Sequence, residues 1–235
     1  MSNEKSIVYL SGMFAGGWIW ERVVPLIAAD TIRVIEQPLC EISNRLDDLS
    51  DHVVDQVMGI PGPVTLVSNS LGSYLALKTA NLLPEKVERV VVSGAAGFAD
   101  VDLGVRITPR KAREAAKSLV EMIFFDKSKI EWDYAARVED CFVENLRPIL
   151  RLMLESNRAS AAELFPGIRC PVHAIWGRGD VITTLAAARD TFNRYGVRVD
   201  VLEECGHSPM CEAPERFAHA FNTESHRLQL RYETA

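Results

Sequence analysis

Six short apolar runs, separated for the most part by helical patterns, constrain the fold of this chain more than any other feature. The helical pattern is clearest over Leu46–Met58, where Leu49, Val53, Val54 and Val57 fall on one face. Strands that alternate with helices form a parallel sheet covered by helices on both faces. The sequence therefore predicts an α/β fold with a doubly wound, mostly parallel sheet. The six predicted strands are 7–10, 32–35, 64–67, 90–92, 172–176 and 197–202.

The length of the chain fits one large core. The protein has 235 residues, of which 48% are hydrophobic, and this lies within the range of a single α/β domain. A further helix is predicted over 20–29. The polar end, 222–235, either extends the last helix or frays.

One pentapeptide has the form of a nucleophile elbow. Ser70 lies between a predicted strand and a helical run, with Ser68 two residues before it and Gly72 two residues after it. A serine hydroxyl is a poor nucleophile at its normal pKa, so a sharp turn must present it to a base, and small neighbours allow that turn. Taken alone, the pentapeptide fits an ordinary strand-to-helix turn equally well.

Two residues occupy matching positions after later strands. Asp180 follows the fifth predicted strand within a G-x-x-D stretch, and His207 follows the sixth. Because the carboxyl ends of parallel strands share one edge of the sheet, Ser70, Asp180 and His207 are predicted to meet there. In such a triad the histidine accepts the serine proton and the acid stabilises the imidazolium.

With these residues the chain resembles the α/β-hydrolase family, and the resemblance covers nearly all of it. The serine elbow, the G-x-x-D stretch and the Cys-Gly-His stretch ending at His207 come at the family's spacing. The resemblance implies a serine hydrolase without a cofactor, whose oxyanion hole is formed by the backbone N–H groups of Met13 and Leu71. The family usually has a histidine before the glycine of its oxyanion loop, where this chain has Ser11.

The resemblance does not decide which residue is the acid of the triad, and the predicted sheet has fewer strands than is usual in the family. Some members carry the acid after the preceding strand, so Asp100 and Asp102 compete with Asp180 for that role. The G-x-x-D setting favours Asp180. The family's two leading strands have no counterpart among the six predicted runs.

The interval 98–165 is helical in pattern, where a minimal sheet would continue. Thr108 and Pro109 mark a helix start, and two more helices are predicted over 132–145 and 148–157. In the family such an insertion is a cap that lies over the active site and excludes water. Ordinary surface helices are the alternative.

The resemblance therefore implies that the chain is divided into two structural units. The α/β-hydrolase core comprises 1–97 and 166–235, and the helical cap comprises 98–165.

A narrower resemblance concerns the substrate. Asn69, the stretch Thr108-Pro109-Arg110 and the Cys-Gly-His stretch are similar to the branch that hydrolyses carbon–carbon bonds in ring-cleavage products. That branch keeps an arginine in its cap that binds the substrate carboxylate. Arg137 lies at a matching distance in sequence before the last predicted cap helix. Asn69 and Arg137 are thus substrate-binding candidates, with a solvated helix residue as the alternative for Arg137. The match is partial, because Ser208 stands where the branch has a tryptophan.

Charge and composition argue against several classes of partner. The formal net charge is −6, with 26 basic and 32 acidic residues interspersed, so a nucleic-acid partner is not expected. No run of about 18 apolar residues is present to span a bilayer, and the polar start, 1–6, lacks the form of a secretory signal. The expected partner is a small-molecule substrate, with neither nucleic acid nor membrane.

The cysteines indicate a reducing compartment. Five cysteines without a regular framework are typical of free thiols in a cytoplasmic protein. Cys205 and Cys211 flank His207, which makes a metal cluster an alternative. Structural zinc sites usually supply four ligands in paired short spacings, and this stretch does not, so no metal is expected.

Three functions fit these features. The leading hypothesis is a serine hydrolase acting on a small acyl compound: an ester, lactone, thioester or activated ketone. The second is a lyase or acyltransferase on the same scaffold, and the third is a binding module that has lost the chemistry. A complete triad argues against the third, because a receptor needs no acid paired with a histidine. The sequence leaves the substrate and the oligomeric state open, a homodimer included.

Overall fold

The computed structural model describes residues 6–35, 45–100 and 107–233, with side chains up to residue 230. Within these ranges the chain forms one sheet of six strands, and the predicted strands are confirmed with small changes at their ends. The strands are β1 Ser6–Leu10, β2 Thr31–Ile35, β3 Val64–Asn69, β4 Val87–Ser93, β5 Val172–Gly177 and β6 Arg198–Leu202.

Eight α-helices lie within the described residues. Three of them fall in the predicted helical interval between β4 and β5. The helices are α1 Leu46–Met58, α2 Leu71–Leu82, α3 Ala112–Ile123, α4 Trp132–Glu144, α5 Leu146–Arg158, α6 Leu185–Arg194, α7 Pro209–Glu212 and α8 Pro214–Glu233.

The sheet is parallel throughout, with the strand order β2-β1-β3-β4-β5-β6. β1 and β3 lie inside the sheet and are buried along their whole length. Strands covered on both faces need apolar side chains at successive positions, which explains the continuous Val90, Val91 and Val92 of β4. The predicted α/β fold, with a parallel sheet of about six strands, is confirmed.

The register brings several strand ends together at one edge. Leu10 at the end of β1 pairs with Ser68 near the end of β3, and Asn69 pairs with Ser93 at the end of β4. Gly177 at the end of β5 pairs with the last residue of β6. The segments that leave these strands therefore emerge side by side, at the edge where ligands bind in open parallel sheets.

Two regions differ in detail from the sequence-based expectation. The helix predicted over 20–29 is wrong, because the chain there forms two short 3-10 turns, Gly17–Trp20 and Val24–Leu26. Pro25 lacks the N–H that a continuous helix would need at its position. The predicted elements did not include α6. The last helix extends into the polar end as far as residue 233, and 234–235 lie outside the described residues.

The helices of the interval 98–165 pack through strongly apolar faces. In α3 the buried residues include Ala116, Leu119 and Ile123, and in α4 they include Tyr134 and Val138. The division into a core and a cap stays a prediction. Across the described ranges, the helices fall short of the length and apolar content that a bilayer-crossing segment needs.

Candidate active site

Ser70 occupies the sharp turn between β3 and α2. Its backbone has φ 54° and ψ −121°, in the positive-φ region that residues with a side chain rarely adopt. The Ser70 N–H donates to the carbonyl of Ser93 at 2.9 Å, and its carbonyl accepts from the N–H of Ser73 at 3.0 Å and of Ala96 at 3.2 Å. A strained conformation held by its neighbours in this way is typical of functional sites.

The residues on either side show why the turn needs small side chains. A Cβ atom on Gly72 would fall on the backbone carbonyls of Leu10 and Ser11, because α2 packs directly on the end of β1. Ser68 is fully buried, and its Oγ donates to the carbonyl of Val91 at 2.8 Å. A serine is accommodated in place of the usual glycine because its hydroxyl has a partner in β4.

Asp180 and His207 form a buried pair. Asp180 Oδ2 lies 3.0 Å from His207 Nδ1, and each residue is only 5% exposed. The other carboxylate oxygen accepts from the N–H groups of Ile182 and Thr183, both at 2.9 Å. Burial raises the pKa of Asp180, but the adjacent His207 and the hydrogen bonds from His207 and Thr183 outweigh it and hold this pKa below its usual value. An ionised acid at Nδ1 leaves Nε2 of the imidazole to act as a base.

The structure describes one of the two competing carboxylates. Asp100 is exposed and lines a separate cavity, whereas Asp102 lies outside the described residues. The carboxylate that the structure pairs with His207 is Asp180.

Gly94 and Thr183 belong to the same cluster, and the sequence analysis missed both. Gly94 has φ 52°, and a Cβ atom there would lie 2.7 Å from His207 Nδ1 and 3.1 Å from Asp180 Oδ2. The Thr183 hydroxyl donates to Asp180 Oδ2 at 2.9 Å and lies 3.1 Å from His207 Nδ1. One signal was available for Gly94, which directly follows a strand at the edge that carries Ser70.

The predicted oxyanion loop lies against Ser70. A Cβ atom on Gly12 would be 3.1 Å from Cβ of Ser70, and Met13 lines the same cavity as Ser70. Ser11, which departs from the family pattern, donates through Oγ to the carbonyl of Gly16 at 2.9 Å and accepts from Trp20 Nε1 at 3.1 Å. The Ser11 hydroxyl therefore stabilises the oxyanion loop through these two hydrogen bonds.

The second predicted donor, Leu71, is the first residue of α2. Its N–H has no acceptor within the helix and lies at the positive end of the helix dipole, which suits it to an anion. The donor roles of Met13 and Leu71 stay predictions.

Ser70 and His207 line one small cavity of about 40 Å³, enough for a few water molecules. Two cap-interval helices form part of its wall. The other lining residues are Gly12, Met13, Phe14, Ala15, Asn69, Leu119, Ile123, Tyr134, Val138, Ile182 and Ser208. This lining, taken over the described residues, holds no Asp, Glu, Lys or Arg side chain.

Asn69 lies beside Ser70, and its amide is used within the protein. Its Nδ2 donates to the carbonyl of Ser93 at 3.2 Å and to the carbonyl of His207 at 3.0 Å. The side chain thus ties the end of β4 to the His207 loop. Its predicted contact with substrate stays a prediction.

Arg137 does not line the Ser70 cavity. It lies on α4 at a neighbouring surface cavity, with its guanidinium 5.5 Å from the centre of the Trp18 ring and 3.7 Å from Asp133. Tyr134 lines both cavities and stands between them. Binding of a substrate carboxylate by Arg137 stays a prediction.

The two cysteines near His207 have partners of their own. Cys205 Sγ lies 3.0 Å from Arg216 Nη2, and Cys211 Sγ lies 3.7 Å from the carbonyl of Ile19. Burial raises the pKa of the Cys211 thiol. In the part of the chain that the structure describes, no three His, Cys, Asp or Glu side chains are grouped to hold a metal ion.

Comparison with known proteins gives matches over nearly the whole chain. A family model described as "Alpha/beta hydrolase family" matches residues 7–220. The chain is 24% identical to a pimeloyl-[acyl-carrier protein] methyl ester esterase of Nitrosomonas europaea, over 94% of this chain and 95% of that protein.

Solved structures show the same fold. An enol-lactonase from Burkholderia xenovorans has a TM-score of 0.79 at 18% identity, covering 94% of this chain and 91% of its own. A meta-cleavage product hydrolase from Pseudomonas fluorescens has a TM-score of 0.73 at 20% identity, with the same two coverages, 94% and 91%. At these identities the likeness concerns the backbone fold alone.

Proposed function

This chain belongs to the alpha/beta hydrolase family, and on that premise we propose that it is a serine hydrolase with Ser70, His207 and Asp180 as its catalytic triad. The observation that carries the proposal is the buried Asp180–His207 pair, 3.0 Å apart, at a cavity that the strained Ser70 also lines. The proposal includes a small-molecule substrate, no cofactor and a cytoplasmic location.

In the proposed mechanism His207 Nε2 removes the Ser70 proton as Oγ attacks the substrate carbonyl carbon. Asp180 stabilises the imidazolium that forms, and the N–H groups of Met13 and Leu71 bind the negative carbonyl oxygen. His207 then gives the proton to the leaving group, which departs from an acyl-enzyme. A water molecule, deprotonated by His207, releases the acid and restores Ser70.

The cavity lining favours an uncharged acyl group. Its walls are apolar apart from Asn69, Ser70, His207, Ser208 and the hydroxyl of Tyr134. A substrate carboxylate placed there would lose its hydration without gaining a cation, which is strongly unfavourable. A neutral ester, lactone or thioester is therefore favoured over a ring-cleavage dienoate. The name of the related esterase supports this class.

In this proposal Asn69 positions the His207 loop, and Arg137 lies outside the acyl cavity. In this proposal the cavity widens to admit a substrate, since its present volume is about 40 Å³. The helices α3 and α4 supply the wall that would have to move. In this proposal α3 and α4 act as the cap.

The proposal is tested with p-nitrophenyl esters of graded acyl length, assayed beside a ring-cleavage dienoate, and with a fluorophosphonate probe. We expect turnover of short neutral esters and covalent labelling of Ser70, both lost in Ser70→Ala. Ser208→Ala, a serine of the same cavity, should keep the label. A label found on another residue by mass spectrometry contradicts the triad, and turnover of the dienoate alone contradicts the substrate class. Transfer of the acyl group to an acceptor other than water would favour the acyltransferase alternative.

A further inference from the structure

Glu212 is a buried carboxylate that the proposed mechanism does not use. It is 6% exposed and lies at the end of the short helix α7. Its Oε1 accepts from the N–H of Phe125 at 3.0 Å and of Asp126 at 3.1 Å, and its Oε2 accepts from the N–H of Gly206 at 2.5 Å.

All three of these donors are backbone amides. Hydrogen bonds from an N–H to a carboxylate are about twice as strong as those between neutral groups. A carboxylate removed from water needs such partners on both oxygens. The three amides therefore explain how Glu212 is tolerated inside the protein.

The amides belong to two segments that lie far apart in the sequence. Gly206 immediately precedes His207, whereas Phe125 and Asp126 follow the end of α3. The same two segments also touch directly, because the N–H of His207 donates to the carbonyl of Ile123 at 2.7 Å. The approach is close, since a Cβ atom on Gly206 would lie 2.8 Å from the Phe125 nitrogen and 3.1 Å from Glu212 Oε2.

We propose that Glu212 is a positioning residue for His207. Its carboxylate clamps the Gly206 amide to the end of α3 and thereby fixes where the imidazole stands relative to Ser70. Ile123 on that helix also lines the cavity, so the clamp joins the wall of the acyl cavity to the base. The inference rests on the proposed role of His207 as the base.

The size of the effect follows from the geometry of proton transfer. A displacement of about 1 Å in a catalytic group costs on the order of 100-fold in rate. Glu212→Gln preserves the shape of the side chain but replaces one acceptor oxygen with an NH2 group. In either orientation of the amide, a donor then faces a backbone N–H, at Gly206 or at the end of α3.

We expect Glu212→Gln to lower kcat about 10- to 100-fold on a short p-nitrophenyl ester and to change KM by less than about three-fold. The matched control is Glu215→Gln, three residues along the chain, where the side chain is exposed. It should behave as the wild type. Both variants are assayed well below their melting temperatures, so that a loss of stability alone leaves kcat per folded molecule unchanged.

The outcomes separate this inference from the proposed function. A folded Glu212→Gln protein with wild-type kcat overturns the clamp and leaves the proposed function intact. A wild-type protein that neither turns over esters nor reacts with the probe overturns the proposed function, and the inference with it. Should the variant fail to fold, hydrogen exchange of the wild-type Gly206 amide decides: protection like that of the sheet supports the clamp, and exchange at the rate of exposed loops overturns it.

Discussion

Ser70 and Gly94 follow neighbouring strands, β3 and β4, and both have a positive φ, 54° and 52°. For Ser70 this conformation is strained, at a cost on the order of 1–3 kcal/mol. Glycine adopts it without such strain. In the proposed triad Ser70 is required for its hydroxyl, whereas a glycine is required at Gly94 because the imidazole of His207 occupies the space where a side chain would stand.

Gly94→Ala tests whether the site needs a glycine beside the imidazole of His207. We expect kcat to fall by at least about 100-fold, because a Cβ atom 2.7 Å from His207 Nδ1 must displace the imidazole. The control is Gly196→Ala, where φ is also positive, at 62°, but no atom lies within 4 Å of the added carbon. It should lose a similar amount of stability through backbone strain and keep its kcat. Equal kcat in the two folded variants would contradict the assigned role of Gly94.

Asp180→Asn tests the acid. The variant should fold and lose about 10⁴-fold in kcat, because an amide at this position no longer holds the imidazole in the tautomer that leaves Nε2 free. Asp100→Asn is the control, since Asp100 was one of the two competing candidates and lines a different cavity. It should retain its activity. The assay is steady-state ester hydrolysis with circular dichroism as a check of folding. Loss of activity in Asp100→Asn instead would move the acid to that strand end.

Residues of the site differ in how far the sequence could predict them. The placement of Ser70, Asp180 and His207 at one edge of the sheet was predictable, because each follows an apolar strand. The contacts of Thr183 and Glu212 were not predictable, because they involve segments distant in sequence, and the one signal for Gly94 was its position directly after a strand.

At the scale of elements, the strands were the easiest to predict. Parallel strands covered on both faces have continuous apolar runs, so the runs at 64–67 and 90–92 mark β3 and β4 closely. The helix predicted over 20–29 was wrong because the apolar residues there pack as 3-10 turns around Pro25. Helical pattern alone could not show which face of α3 or α4 would meet Ser70, since that depends on how the interval folds back over the sheet.

The α4 helix offers a test of acyl selection. Val138 is 1% exposed and lines the Ser70 cavity, so Val138→Ala should make room for a longer acyl chain. The ratio of kcat/KM for a longer over a shorter p-nitrophenyl ester should rise about ten-fold, the scale of one or two methylene groups in an apolar pocket. Val143→Ala, on the same helix at a residue 38% exposed, should leave the ratio unchanged. An unchanged ratio in both variants would place the acyl chain elsewhere.

At the scale of the whole molecule, a second histidine joins three strands and the last helix. His173 on β5 lies between Arg89 on β4 and Asp200 on β6, with its Nδ1 3.0 Å from Arg89 Nη2 and its Nε2 2.7 Å from Asp200 Oδ2. Arg89 also reaches Ser225 on α8. A neutral imidazole satisfies both partners, because Nδ1 accepts from the guanidinium and Nε2–H donates to the carboxylate.

This arrangement predicts a loss of stability in mild acid. Burial, with the charge of Arg89, lowers the pKa of His173 from 6.5 to about 4. As the pH falls below 6.5 the unfolded chain takes up a proton that the folded protein refuses, so the free energy of unfolding decreases until the pH reaches about 4. At pH 5 the loss in the free energy of unfolding, relative to pH 7, is about 2 kcal/mol from this residue.

His173→Gln offers an acceptor and a donor in place of the two ring nitrogens but does not titrate. Urea unfolding should therefore show a weaker dependence on pH between 7 and 5 in that variant, whereas His219→Gln, at an exposed position, should follow the wild type. If all three proteins lose the same free energy over this range, His173 is not the group that makes the fold sensitive to acid.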